Sequence, residues 1–119
     1  GADALVPVPV HPSRRRQRGF NQAEIFADRI GERLGIPVCP KMLVRRKKTA
    51  PQKQLNPKER LHNLEEAFAA GAVPERVTRV ILVDDIYTTG STMEACARAL
   101  LRAGVKNVYF IAICIGRGQ

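Results

Sequence analysis

Residues 80 to 92 read VILVDDIYTTGST, and no other segment restricts the fold as much. Val80 to Val83 form an apolar run without polar alternation, as expected for a parallel strand covered on both faces. Asp84 and Asp85 close that run. A hydroxyl-rich turn follows, and Ser91 with Glu94 has the spacing of a capping pair, so a helix starts there. Met93, Cys96, Ala97 and Leu100 recur at helical spacing, and Gly104 is placed to end the helix. A second apolar run, VYFIAICI over 108 to 115, supplies the next strand. Strand, turn, helix, short loop and strand make a βαβ unit, which requires a mainly parallel, twisted sheet flanked by helices.

The amino end repeats this arrangement. LVPVPV, residues 5 to 10, is β-prone, but Pro7 and Pro9 cannot donate to a ladder and suggest a strand that ends or bends there. HPSRRRQRG reads as a loop. Asn21 and Glu24 form a helix start, stapled by Phe20 and Ile25, with Ala23, Phe26, Ala27, Ile30 and Leu34 on one stripe. Gly35 is placed to end that helix in the left-handed conformation. Residues 36 to 45 hold one or two short strands interrupted by Pro37 and Pro40. The segment 46 to 57, charged and without apolar periodicity, reads as a mobile loop. Asn56, Pro57 and Glu59 then open a short helix whose face carries Leu61, Leu64 and Phe68. At 119 residues and 45% hydrophobic content, one α/β domain spanning 1–119 is expected.

Charge narrows the partner. The chain carries a net +9, and residues 14 to 60 alone give 14 − 4 = +10. A basic block of this kind raises the local concentration of anions such as nucleotides, pyrophosphate or nucleic acid. Cys39, Cys96 and Cys114 are odd in number and widely spaced, which argues for core thiols and against a disulfide framework or a C-x-x-C metal site. No apolar run approaches the roughly 20 residues of a membrane span, and no secretory signal is read, so a cytoplasmic location is expected.

In open α/β sheets, ligands bind beyond the carboxyl ends of the strands, where DDIYTTGST lies. Gly90 permits a tight turn, Thr88, Thr89, Ser91 and Thr92 offer hydroxyls, and the helix start offers N–H groups to an anion. The spacing fits neither a P-loop nor a dinucleotide fingerprint. Asp84 and Asp85 would repel one another in a dry site unless a cation or hydroxyls compensate them, and a ribose diol with Mg²⁺ would do so. VILVDDIYTTGST resembles the phosphoribosyl pyrophosphate signature of type I phosphoribosyltransferases. PVPVHPSRRRQRGFNQAE, TAPQKQL and KERLHNLEEAF, in that order, resemble the ComF competence-protein family over nearly the whole chain.

That resemblance implies a type I phosphoribosyltransferase-like fold binding phosphoribosyl pyrophosphate or a nucleoside monophosphate with Mg²⁺. Asp84 and Asp85 would take the ribose hydroxyls and the metal, and Tyr87, Thr88, Thr89, Gly90, Ser91 and Thr92 would hold the phosphoribosyl group. Val10, His11, Pro12, Ser13 and Arg14 would form the pyrophosphate loop, and a flap over 46–57 would close with Arg45, Lys48, Gln52 and Lys53 as its candidate catalytic groups. Two departures stand out. ComF-like proteins usually carry a four-cysteine zinc ribbon ahead of this domain, which this sequence lacks, and Thr88 stands where hypoxanthine-type relatives have an acid that assists the base. No general base is visible.

Bland readings accompany each group. Ser91 and Glu94 are explicable as a cap, His11 and His62 as ordinary polar contacts, and Arg14, Arg15, Arg16 and Arg18 as a solvated face. Gln22, Gln52 and Asn63 could orient substrate or bridge loops. Tyr87 could cover the ligand or fill the core. The competing functional reading is a non-enzymatic regulator or single-stranded-DNA binder of the competence machinery, which would use the basic block but has few aromatic platforms to stack bases. A homodimer is compatible with either reading.

Overall fold

The computed structural model describes residues 2–9, 22–46, 56–87 and 90–115. Strands β1 (Ala4–Pro7), β4 (Arg79–Tyr87) and β5 (Asn107–Ile115) form a parallel sheet in the order β1-β4-β5. Strands β2 (Leu43–Arg45) and β3 (Phe68–Ala70) form a small antiparallel pair. Helices α1 (Gln22–Leu34), α2 (Pro57–Ala67) and α3 (Ser91–Arg102) surround them. The expected α/β class with a mainly parallel sheet is what the chain adopts. Among the described residues no helix is long and apolar enough to cross a membrane.

Each sheet face has its own cover. Ala4, Val6, Val80 and Leu82 point into a core shared with Met93, Cys96 and Leu100 of α3 and with Met42, Leu43 and Phe68. Leu5 and Val83 point the other way, onto Ala27, Phe26 and Ile30 of α1. This is the two-sided burial that the unbroken run at Val80–Val83 requires. The strand ends at Pro7, as the missing N–H there dictates, and Val8 N–H donates to Val83 O at 2.8 Å. At its start β1 is tied to β4 by Asp3. One carboxylate oxygen accepts from the backbone N–H of Thr78 and of Arg79, both at 3.0 Å. These donors hold the Asp3 carboxyl below its ordinary value.

Glycines close α1 and α3, as the sequence reading placed them. Gly35 follows α1 at φ 68° and Gly104 follows α3 at φ 110°. Gly31 serves contact rather than turning: a Cβ there would lie 2.7 Å from Ile36 O and 2.9 Å from Val38 Cγ2. Alanine would favour the helix by about 1 kcal/mol but force this seam apart at a cost of about 1–3 kcal/mol. Gly31→Ala is therefore expected to lower the urea midpoint; an unchanged or raised midpoint would mean that α1 shifts freely on the sheet.

Four expectations need correction. The acids do not close β4, which continues to Tyr87 because β5 goes on pairing with it through Ile86↔Cys114 and Tyr87↔Ile115. Leu34, the last residue of α1, is exposed rather than part of the buried stripe. Phe68 is not on a helical face: α2 stops at Ala67, and Phe68 begins β3, opposite Arg45. Ser91 is the first residue of α3, not its cap. Gly90 occupies the cap without a side-chain bond, and Glu94 binds Arg98 at 2.8 Å instead. Asn56 and Glu59, by contrast, form the reciprocal capping box expected, at 2.8 and 3.2 Å. Asn21 and Phe20 lie outside the described residues.

Candidate functional site

The central strand β4 carries the acid pair at its carboxyl end. Asp84 stands level with Ala112 of β5, and the turn that follows leads into α3. Because Val8 bonds to Val83, the chain leaves β1 alongside this point. Val10, His11, Pro12, Ser13 and Arg14 lie outside the described residues, as do Thr88 and Thr89.

The electrostatics of the pair are unusual. Asp84 continues the row of Val80 and Leu82 that faces the main core, as strand alternation assigns it. Burial first, and then the adjacent carboxyl of Asp85, push the Asp84 carboxyl up to about 7. Its Oδ1 accepts the Asp85 N–H at 2.8 Å, a bond that favours the charged form and only partly offsets those two effects. Cys96 of α3 lies within reach of the same charge. Burial chiefly raises its thiol, Asp84 adds to the shift, and Arg45 opposes it. Cys96 is a core thiol, as expected, and is buried.

Beyond the acids, Gly90 adopts φ 81° and ψ −5°, in the left-handed region that glycine enters without strain. Glu94 N–H donates to Gly90 O at 2.9 Å, closing the first turn. The N–H groups of that turn have no partner within the helix, and the helix dipole adds positive potential at the same place. Gly90, having no side chain, makes no side-chain cap bond here. Ser91 and Thr92 are half-buried at this start.

Arg45, one of the flap candidates, stands just ahead of the 46–57 segment. It belongs to β2, with its guanidinium carbon 4.9 Å from the centre of the Phe68 ring. Its charge is felt at Cys96, hence near Asp84. Both ends of the expected 46–57 flap are also anchored: Arg46 N–H donates to Ala67 O at 2.7 Å, and Asn56 and Pro57 belong to the start of α2. Lys48, Gln52 and Lys53 lie outside the described residues, and of Tyr87 only the strand backbone is described. Sequence reasoning missed that Arg45 lies over Phe68 and that Cys96 feels both Arg45 and Asp84, since these residues meet only through packing between β2, β3 and α3. His62 pairs with Glu66 at 2.9 Å, in keeping with an ordinary polar contact. It lines a cleft of about 470 Å³ with Arg46 and Arg102, which excludes the acid pair.

A phosphoribosyl transferase domain model matches residues 18–119. Competence protein F of Haemophilus influenzae is 35% identical over 108 residues, which cover 89% of this chain and 47% of that protein. DNA utilization protein YhgH of Escherichia coli K12 is 33% identical over 112 residues, 94% of this chain and 49% of that protein. Competence protein ComFC of Bacillus subtilis is 34% identical over 100 residues, 84% of this chain and 39% of that protein. The chain thus spans about half the length, or less, of these relatives. No solved structure matches.

Proposed function

The chain belongs to the phosphoribosyl transferase domain family, in its ComF-type branch, and we propose that residues 84 to 92 bind phosphoribosyl pyrophosphate with Mg²⁺ and transfer or sense its phosphoribosyl group. One observation carries this reading: two adjacent carboxylates stand in the last four residues of the central strand, a short turn before left-handed Gly90 and the start of α3. Hydroxyl acceptors and a phosphate cradle thus lie a few residues apart, the spacing a ribose 5-phosphate needs.

The residues fit the metal. Asp84 is held up to about 7 by burial and by Asp85, an energetic cost that a cation would relieve. Among the described residues no group of three or more His, Cys, Asp or Glu could hold a metal ion. Mg²⁺, however, commonly binds through one or two carboxylates plus substrate oxygens. Asp84 and Asp85 would hold it, and when bound it would neutralise charge on the pyrophosphate. The α3 start would fix the 5-phosphate, and the acids would orient the ribose hydroxyls. In transfer, the bond from the anomeric carbon to pyrophosphate breaks, the electron pair leaves with pyrophosphate, and an acceptor forms the new bond. The carboxylates would ease positive charge developing on the ribose. Loop residues 10–14 and the flap over 46–57, with Arg45, Lys48, Gln52 and Lys53, complete the proposal, and a cytoplasmic setting accords with it.

Calorimetric titration of phosphoribosyl pyrophosphate with and without Mg²⁺ tests this reading. Mg²⁺-dependent binding that Asp85→Asn weakens at least 30-fold is expected; no heat at millimolar ligand would overturn it. A second reading is favoured by the names of the relatives, which refer to competence and DNA utilization. In it the basic block of residues 14 to 60 holds single-stranded DNA, with affinity that falls steeply with salt and ignores Asp85→Asn.

A further inference from the structure

From the fork made by Arg98 we infer that it is a positioning residue of the candidate site. It holds the Glu94 carboxylate off the α3 start where, on the phosphoribosyl reading from which this follows, the 5-phosphate binds. Glu94 lies in the first turn of α3, three residues after Ser91. Residues three apart share a helix face, and every Cα–Cβ bond of a helix leans towards its amino end. A glutamate left to itself at this position therefore leans over the turn that carries Ser91 and Thr92. The positive end of the helix dipole attracts it to the same place. A carboxylate there competes with a phosphate for the same donors and repels it.

Arg98 and Glu65 oppose this. Nη2 of Arg98 donates to Oε1 of Glu94 at 2.8 Å, and Nη1 donates to Oε1 of Glu65, on α2, at 2.7 Å. Glu94 and Arg98 alone would be an exposed pair one turn apart, and such pairs are weak and exchange readily. Glu65 changes their balance. Its side chain is only 23% exposed, against 54% for Glu94, so it anchors one arm of the guanidinium at the α2–α3 contact. The planar fork then aims its other arm at Glu94. A charge in the first turn of α3 is thereby held by a neighbouring helix and not by its own helix end.

Titration of phosphoribosyl pyrophosphate with Mg²⁺ into the parent chain, Arg98→Met, Glu94→Gln and the double variant tests this. Arg98→Met is expected to weaken binding about fivefold, the size of a charge effect at a helix end. Glu94→Gln should restore binding in that background to within about twofold of the parent, yet change it less than about twofold alone, a non-additivity that marks direct coupling. Loss of a remote cation would instead make Glu94→Gln strengthen binding equally in both backgrounds. Such additivity overturns the inference, as does unaltered affinity in Arg98→Met.

Amide NMR without ligand separates the inference from the phosphoribosyl reading. Between about pH 3 and 6, where glutamate titrates, the Ser91 and Thr92 signals of Arg98→Met should follow Glu94. The further change Glu94→Gln should remove that component and leave only what Asp84 and Asp85 contribute, and the parent should lack it. Signals in Arg98→Met that ignore Glu94 overturn the inference even where the ligand binds. A parent chain that binds no ligand overturns the phosphoribosyl reading instead, and the amide signals still decide whether Arg98 holds Glu94 away.

Discussion

Asp84→Asn is expected to raise the thermal midpoint by about 5 °C at pH 8 while abolishing Mg²⁺-dependent binding of phosphoribosyl pyrophosphate. The folded protein holds the Asp84 carboxyl at about 7 against an ordinary 3.8. Between those values the folded state keeps a proton that the unfolded chain has released. Stability therefore falls as pH rises from about 4 to 7 and stays low above 7. Asparagine keeps the acceptor for the Asp85 N–H but carries no charge to bury. Because Asp84 is only partly buried, solvent screening reduces the gain to about 1 kcal/mol, far below the full value of the shift. Calorimetric scans from pH 4 to 8 should show the two proteins converging at the acid end. An equal gain at every pH would mean that burial of the charge is not the cause.

A gain in stability coupled to a loss of binding is what a site built for a cation predicts. Two carboxylates at the end of a buried strand cost the free protein stability that well-packed neutral residues would not, and such costs concentrate where ligands bind.

The site was legible because its signals are local. A run of four apolar residues, two acids, a glycine and a helical stripe all lie within 21 residues, so strand, turn and helix could be placed without tertiary information. The errors arose where neighbours decide. Nothing in DDIY announces a strand, and β4 reaches Tyr87 only because β5 supplies partners that far. Ser91 and Glu94 have capping-box spacing, but Arg98, itself held at 2.7 Å by Glu65 of α2, draws Glu94 away. A rival partner from another helix is invisible to a four-residue pattern.

Phe68 makes the same point. Leu61, Leu64 and Phe68 recur at helical intervals, yet helix and strand change places at Ala67–Phe68 because Leu43, Val44 and Arg45 offer a ladder there. Apolar spacing records burial, and both structures bury Phe68. What spacing cannot record is the partner, here the Arg45 guanidinium over the ring.

Phe68→Ala is accordingly expected to be the most damaging core substitution, lowering unfolding free energy by about 3–5 kcal/mol. The ring is 2% exposed and shares a cluster with Met42, Leu43, Met93, Cys96 and Leu100. Alanine would leave a cavity where β2, β3 and α3 meet, and a domain this size has only about 5–15 kcal/mol to lose. Phe68→Leu conserves most of the volume and should cost under about 1.5 kcal/mol, to which loss of the ring beneath Arg45 contributes about 0.5–1 kcal/mol. Arg45→Met in the Phe68→Leu background separates the two effects. If the ring acts through Arg45, the second substitution costs less there than in the parent chain, as urea denaturation in a double-mutant cycle would read directly. Additive losses would assign the cost of Phe68→Leu to packing alone, and Phe68→Ala within 1 kcal/mol of the parent would place the β2–β3 pair outside the cooperative core.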